Sequence, residues 1–150
     1  MVAGYCWKWP SKKNPEAYDI EFADFDFKMK WNLGEDGSTW IIRPDSVNQI
    51  GCIHTCQGLE VDYIGVIVGE DMVVRNGEII TDASKRASSD NSVKGYKRLL
   101  KEKPAEAKQI VDLIIKNTYR TLMTRGMKGC YVYFVDEETR QYFENSLKTK

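Results

Sequence analysis

The sequence predicts an α/β domain of three layers, a mostly parallel sheet between helices, and three observations lead there. Residues 64–68, Ile-Gly-Val-Ile-Val, are apolar without alternation, as in a parallel strand covered on both faces. Ala107, Ile110, Val111, Ile114, Ile115, Thr118 and Leu122 recur at three-four spacing and mark one long helix over residues 105–125. Strand and helix patterns then alternate through the second half, as in a sheet built by crossovers. With 150 residues, 42% of them apolar, the chain fits one domain, residues 1–150, able to bury a core.

The elements follow in order. Residues 2–7 read as a strand, and 8–15 as a basic loop bounded by Pro10 and Pro15. Residues 19–30 alternate apolar and polar with a one-residue slip at Ala23-Asp24, the period of a half-buried ribbon. Residues 34–37 form a turn and 39–43 a short strand stopped by Pro44. Residues 49–54 and 63–69 are the clearest core strands. Residues 72–75 and 78–81 flank Asn76-Gly77, a pair suited to positive φ, and so form a hairpin with a type I′ turn. Residues 82–91 are small and polar and read as a mobile loop. An amphipathic helix covers 92–103, Pro104 breaks it and opens the next, and Gly126 caps the long helix. A buried strand over 130–135 and a helix over 137–147 close the domain, and the β-rich pieces are insertions on its frame.

Charge gives no overall direction, because Lys+Arg and Asp+Glu both number 22. Any nucleic-acid argument rests on local clusters. No apolar run reaches the ~20 residues of a membrane span, and residues 1–10 lack a secretory pattern. Cys6, Cys52, Cys56 and Cys130 sit in apolar runs without disulfide spacing, which suits reduced thiols and a cytoplasmic location. A chain that begins next to a strand at Val2 reads as a piece truncated at its N-terminus.

Two constellations carry chemistry. Residues 52–60, Cys-Ile-His-Thr-Cys-Gln-Gly-Leu-Glu, follow a predicted buried strand, and strand carboxyl ends form the ligand crevice of open α/β sheets. Residues 117–126 place Arg120 and Arg125 near the end of the long helix. Arginine suits phosphate because its planar fork donates several bonds and stays charged. A third feature is basic: Lys94, Lys97, Arg98 and Lys101 cluster on the second-half helix, as a solvated face or a phosphate-tracking patch.

In this order the first two constellations resemble the fifth and sixth motor motifs of superfamily 1 helicases. Residues 54–60 resemble Thr-x-His-x-x-Lys/Gln-Gly-x-Glu, and residues 122–126, Leu-Met-Thr-Arg-Gly, resemble Ala-Leu-Thr-Arg-Ala. Over nearly the whole chain the text is most similar to a bacterial family of uncharacterised Schlafen-type helicase-like proteins. The resemblance implies the second RecA-like (P-loop NTPase-like) domain of a nucleic-acid-dependent ATPase. It implies that His54 and Thr55 touch single-stranded DNA or RNA and that Gly58, Glu60 and Arg120 lie at the nucleotide. Arg125 would be the catalytic arginine finger toward the γ-phosphate. Gln57 falls where the family has Lys or Gln, Arg120 where many relatives carry an aromatic, and Cys52 replaces the leading Thr. No G-x-x-x-x-G-K-[ST] occurs. ATP with Mg²⁺ would therefore be held by an N-terminal P-loop domain of the same protein, and this piece alone would be catalytically inactive.

Other readings of the same residues stand beside these. Arg125 at a helix end can satisfy the last carbonyls. Cys52, His54 and Cys56 would share a face of an extended strand, but a fourth zinc ligand is missing, and no metal is assigned. Trp7, Trp9, Trp31 and Trp40 can stack on bases or pack in the core. The rival functions are a binding module without NTP, for nucleic acid or protein, and a metal-dependent nuclease using Glu60, Asp62, Glu70 and Asp71.

Overall fold

The computed structural model describes residues 1–31 and 37–148. In chain order the strands are β1 (Val2–Ala3), β2 (Ile20–Phe22), β3 (Phe27–Trp31), β4 (Gln49–Ile50), β5 (Val61–Val68), β6 (Met72–Arg75), β7 (Glu78–Thr81) and β8 (Gly126–Phe134). The helices are α1 (Tyr96–Glu102), α2 (Pro104–Met123) and α3 (Glu137–Lys148).

β5 is central and pairs in parallel with β1 on one side and β8 on the other. β3 pairs antiparallel with β2 and parallel with β4. Gly51 joins the two groups: it bridges Val2 in parallel, accepts from Ala3 N at 3.0 Å and donates to Met1 O at 3.0 Å. The strands therefore run in the order β2-β3-β4-β1-β5-β8, mostly parallel as predicted.

Ile64, Val66, Val68 and Phe134 form the face on which the helices pack. Val111, Ile115, Tyr119 and Leu122 of α2 cover it, with Tyr96 of α1 and Phe143 of α3 at its margins. Ile115 and Leu122 are fully buried, each contributing roughly 1.5–3 kcal/mol of apolar burial. The opposite face carries a second cluster of Ala3, Ile20, Trp31, Ile50 and Ile67. Beyond it, Tyr63 and Tyr131 stay exposed. The described residues thus place helices on one face, and the second helical layer expected from the sequence is not formed by them.

Several local expectations are corrected. The slip at Ala23-Asp24 is a reversal: Ala23–Phe25 is a 3₁₀ turn, Asp26 adopts φ 47°, and β2 folds back on β3. Residues 39–43 are not a strand, since Gly37–Ile42 is a 3₁₀ helix that seats buried Trp40 against Gly51, where a Cβ would clash with its ring. Strand pairing in β1 stops at Ala3, where Gly4 lies beneath the Tyr119 hydroxyl and Tyr5 turns inward. Residues 82–91 are a pinned segment, not a loose loop, because Arg86 and Asp90 are buried in it. The helix expected from residue 92 starts at Tyr96, after Gly95 at φ 84°. Thr124, not Gly126, caps α2. Gly126 opens β8 at a bulge, where a Cβ would meet the Gly129 carbonyl. The Asn76-Gly77 hairpin is present with φ 53° and 79°. The turn predicted at 34–37 lies largely outside the described residues.

Candidate functional site at the two ends of the central strand

The chain leaves β4 through Gly51 and Cys52 and enters a turn over residues 53–58 instead of the predicted longer strand. Thr55 drives this turn. Its hydroxyl accepts from Cys52 N at 2.8 Å and donates to Cys52 O at 2.9 Å, and Cys56 N donates to the same carbonyl at 3.1 Å. Cys52 and Cys56 enter the core, while His54 and Gln57 remain exposed. Burial pushes the Cys56 thiol up to about 11. The extended strand that would have aligned Cys52, His54 and Cys56 as zinc ligands is therefore absent.

The turn ends with Gly58 at φ 78°, followed by Leu59 and the exposed Glu60. Here it meets the end of α2. Arg125 Nη1 donates to Leu59 O at 3.3 Å, Arg125 Nε to Thr121 O at 3.1 Å, and Val61 N to Arg125 O at 3.0 Å. Arg125 thus satisfies a late helix carbonyl, as its structural reading requires, and also fastens α2 to the Gly58–Glu60 corner. A guanidinium carries more donors than these two contacts use. Arg120 is exposed on the last turn of α2.

A different group meets at the other end of β5. Tyr119 donates to Asp71 Oδ1 at 2.5 Å and accepts from Gly69 N at 3.0 Å. The Arg86 side chain is 1% exposed, with Nε 2.6 Å from Asp90 Oδ2 and 3.7 Å from Asp71 Oδ2. Burial raises the Tyr119 hydroxyl and the Cys6 thiol, and Asp71 adds to both shifts. This buried network, with Asp82 N donating to Asp71 O and Ala87 N to Tyr5 O, ties residues 82–91 to the sheet. Beside it lies a cavity of about 430 Å³ lined by Tyr5, His54, Gln57, Arg86, Asn117 and Thr118 among others. The His54 ring stands edge-on to Tyr5 at 5.9 Å.

The residues assigned from the sequence are therefore divided. Gly58, Glu60 and Arg125 gather at the start of β5, and His54 faces the adjoining cavity. Thr55 lies between, its hydroxyl engaged within the turn. Of the basic cluster, Lys94 and Lys97 line one groove of about 530 Å³. Arg98 Nε sits 3.8 Å from Glu102, and Lys101 is exposed on α1. The carboxylates of the nuclease reading do not converge. Asp62 pairs with Lys128 and Glu70 with Lys85 at opposite ends of β5, separated by roughly 26 Å of strand. The sequence reading offered Asp71 only as a metal ligand and missed the buried network it forms with Arg86 and Asp90. The i,i+4 spacing of Arg86 and Asp90 was a signal, but their burial comes from tertiary contacts with β5 and α2.

Among the described residues no helix is long and apolar enough to cross a membrane. Among the described residues no cysteine forms a disulfide. Residues 1–136 match the family described as Schlafen group 3, DNA/RNA helicase domain. The chain is also 29% identical over 135 residues to an uncharacterized protein of Saccharomyces cerevisiae, YPL245W. That alignment covers 88% of this chain and 28% of the relative's length. No solved structure matches. The family match extends from β1 through β8 and so takes in both ends of the central strand: the chain belongs to the Schlafen group 3 DNA/RNA helicase domain family.

Proposed function

We propose that this chain is the second RecA-like domain of a nucleic-acid-dependent ATPase, working against an N-terminal P-loop domain that holds ATP and Mg²⁺. The observation that carries the reading is the junction of Arg125 with the Gly58–Glu60 corner at the start of β5, next to the His54 cavity, whose lining reaches Gln57 and Thr121. The corner then serves the nucleotide and the adjoining cavity the strand. Bound ATP supplies the free energy of its hydrolysis to the motor. On this chain, Arg125 holds α2 to the corner and presents its remaining donors to phosphate. Glu60 and Arg120 are exposed beside it for ribose and phosphate contacts, and Gly58 keeps the corner free of a side chain. Along the cavity and the basic helix, His54, with Thr55 shaping its turn, and Lys94, Lys97, Arg98 and Lys101 bind single-stranded DNA or RNA.

The test of the nucleic-acid half is equilibrium binding of a labelled single-stranded oligonucleotide to the purified chain. Each phosphate neutralised releases counterions, so affinity falls steeply between about 50 and 200 mM salt. Lys94→Glu with Lys97→Glu should reduce the logarithmic salt slope by about 1.4, at about 0.7 per lost contact on a single strand. A flat salt response, or the same slope in this variant, would make α1 a solvated face.

A further inference from the structure

The His54 cavity does not end at Tyr5. Tyr5 and His54 also line an adjoining groove of about 390 Å³ walled by Lys8, Trp9, Lys12, Ser88 and Asn91. Ser88 and Asn91 in turn line the groove of Lys94 and Lys97. The three hollows therefore adjoin, with His54 on the wall between the cavity and the Trp9 groove. The groove beside Trp9 has no carboxylate in its lining. In the groove of Lys94 and Lys97 the one carboxylate, Asp90, is buried and held by Arg86, which it shares with Asp71.

The cations along these hollows are available. Lys85, Lys103, Lys116 and Lys128 each pair with a carboxylate. Among the described residues Lys8, Lys12, Lys94 and Lys97 pair with none. Lys12 Nζ instead stands over the Trp9 ring at 4.9 Å, and Trp9 is braced edge-on against Trp31 at 5.7 Å. That contact directs the ammonium while leaving its charge uncompensated. Trp9 is then a positioning residue for Lys12, whose ammonium occupies one of its ring faces.

We infer that the Lys8–Lys12 turn is a second backbone anchor for the same single strand, which runs from Lys8 and Lys12 past His54 to Lys94 and Lys97. This rests on the reading that the chain grips a single strand. Uncompensated cations at both ends, hydroxyls and amides between them, and a cavity opening to the side at His54 match a phosphodiester backbone with a base turned inward. Ser88, Ser89, Asn91 and Gln57 offer hydrogen bonds without selecting one base.

The experiment compares the chain with its Lys8→Glu/Lys12→Glu and Lys94→Glu/Lys97→Glu variants, using DNA and RNA oligonucleotides of about 12 nucleotides. Thermal melts establish that each variant is folded. If the inference holds, each pair of reversals lowers affinity on the order of tenfold or more at low salt and reduces the salt slope by about 1.4. In the unaltered chain, bound oligonucleotide then protects Lys8 and Lys12 from acetylation as it protects Lys94 and Lys97, and leaves Lys108 reactive. Loss confined to the Lys94→Glu/Lys97→Glu variant, with Lys8 and Lys12 unprotected, overturns the second anchor and leaves the proposed function standing. No binding by the unaltered chain overturns both.

Discussion

Arg86→Met removes the cation that Asp71 and Asp90 share. The Arg86 side chain is 1% exposed and the two carboxylates are 0% and 3% exposed, so water cannot replace the lost charge without opening the segment. Breaking a buried pair from one side costs about 3–5 kcal/mol, because the partner charge is left uncompensated. For a domain of this size each kcal/mol moves Tm by about 2–4 °C, which gives a fall of roughly 10 °C. The assay is thermal unfolding followed by circular dichroism at neutral pH, with limited proteolysis of residues 87–91 as a local probe. Cleavage there should accelerate, since Arg86 ties that segment to the sheet. Arg86→Met combined with Asp90→Asn should recover part of the loss by removing one stranded charge. A fall under about 1 kcal/mol, or no recovery in the double variant, would refute the role given to this network.

Two further predictions concern other parts of the chain. Asp136 accepts from Thr139 N at 2.9 Å and from Arg75 Nη1 and Nη2 at 2.8 and 2.7 Å, and the Arg75 guanidinium holds its carboxyl well below the usual carboxylate range. The depressed folded value stabilises the chain above the unfolded carboxyl value of about 3.9, and this stability is lost as pH falls toward the folded value. Asp136→Ala should therefore cost about 1–2 kcal/mol at pH 7 through the lost cap of α3 and flatten the acid limb of a Tm-against-pH curve, whereas an unchanged acid limb would remove Asp136 from it. Alkylation by iodoacetamide at neutral pH, mapped by mass spectrometry, should label exposed Cys130 first and leave Cys52, Cys56 and Cys6 until unfolding. Early labelling of Cys52 or Cys56 would contradict the buried turn.

The parts of the fold that were legible in the sequence are those set by local periodicity. The unbroken apolar run of β5, the three-four spacing of α2 and the Asn76-Gly77 turn each specify their structure without distant partners. The parts that differed are set by tertiary contact. Trp40 finds its place against Gly51, Thr55 turns the chain back on Cys52, and Arg86 draws a polar segment inward to Asp71. None of these partners is near in sequence except Thr55, whose hydroxyl competes with strand pairing in a way the apolar pattern hides. The candidate site stood in the sequence as a run of residues and not as an arrangement. Residues 52–60 read as one constellation, yet the turn sends His54 toward the cavity and Gly58 and Glu60 to the Arg125 corner. The path past Lys8 and Lys12 was invisible because it joins segments about eighty residues apart.

The most direct measurement is ATP turnover by the intact protein carrying Arg125→Ala, read together with ATP affinity and thermal stability. The substitution deletes the bonds to Leu59 O and Thr121 O, a stability loss of about 1 kcal/mol each. If Arg125 also meets the γ-phosphate, it stabilises the charge that builds in the transition state more than it stabilises bound ATP. The expected result is a fall in kcat on the order of 10³-fold or more with ATP binding little changed. Arg125→Lys should regain some stability and little turnover, since an ammonium lacks the planar fork. Unchanged kcat accompanied by the stability loss alone would make Arg125 a helix cap and contradict the motor assignment.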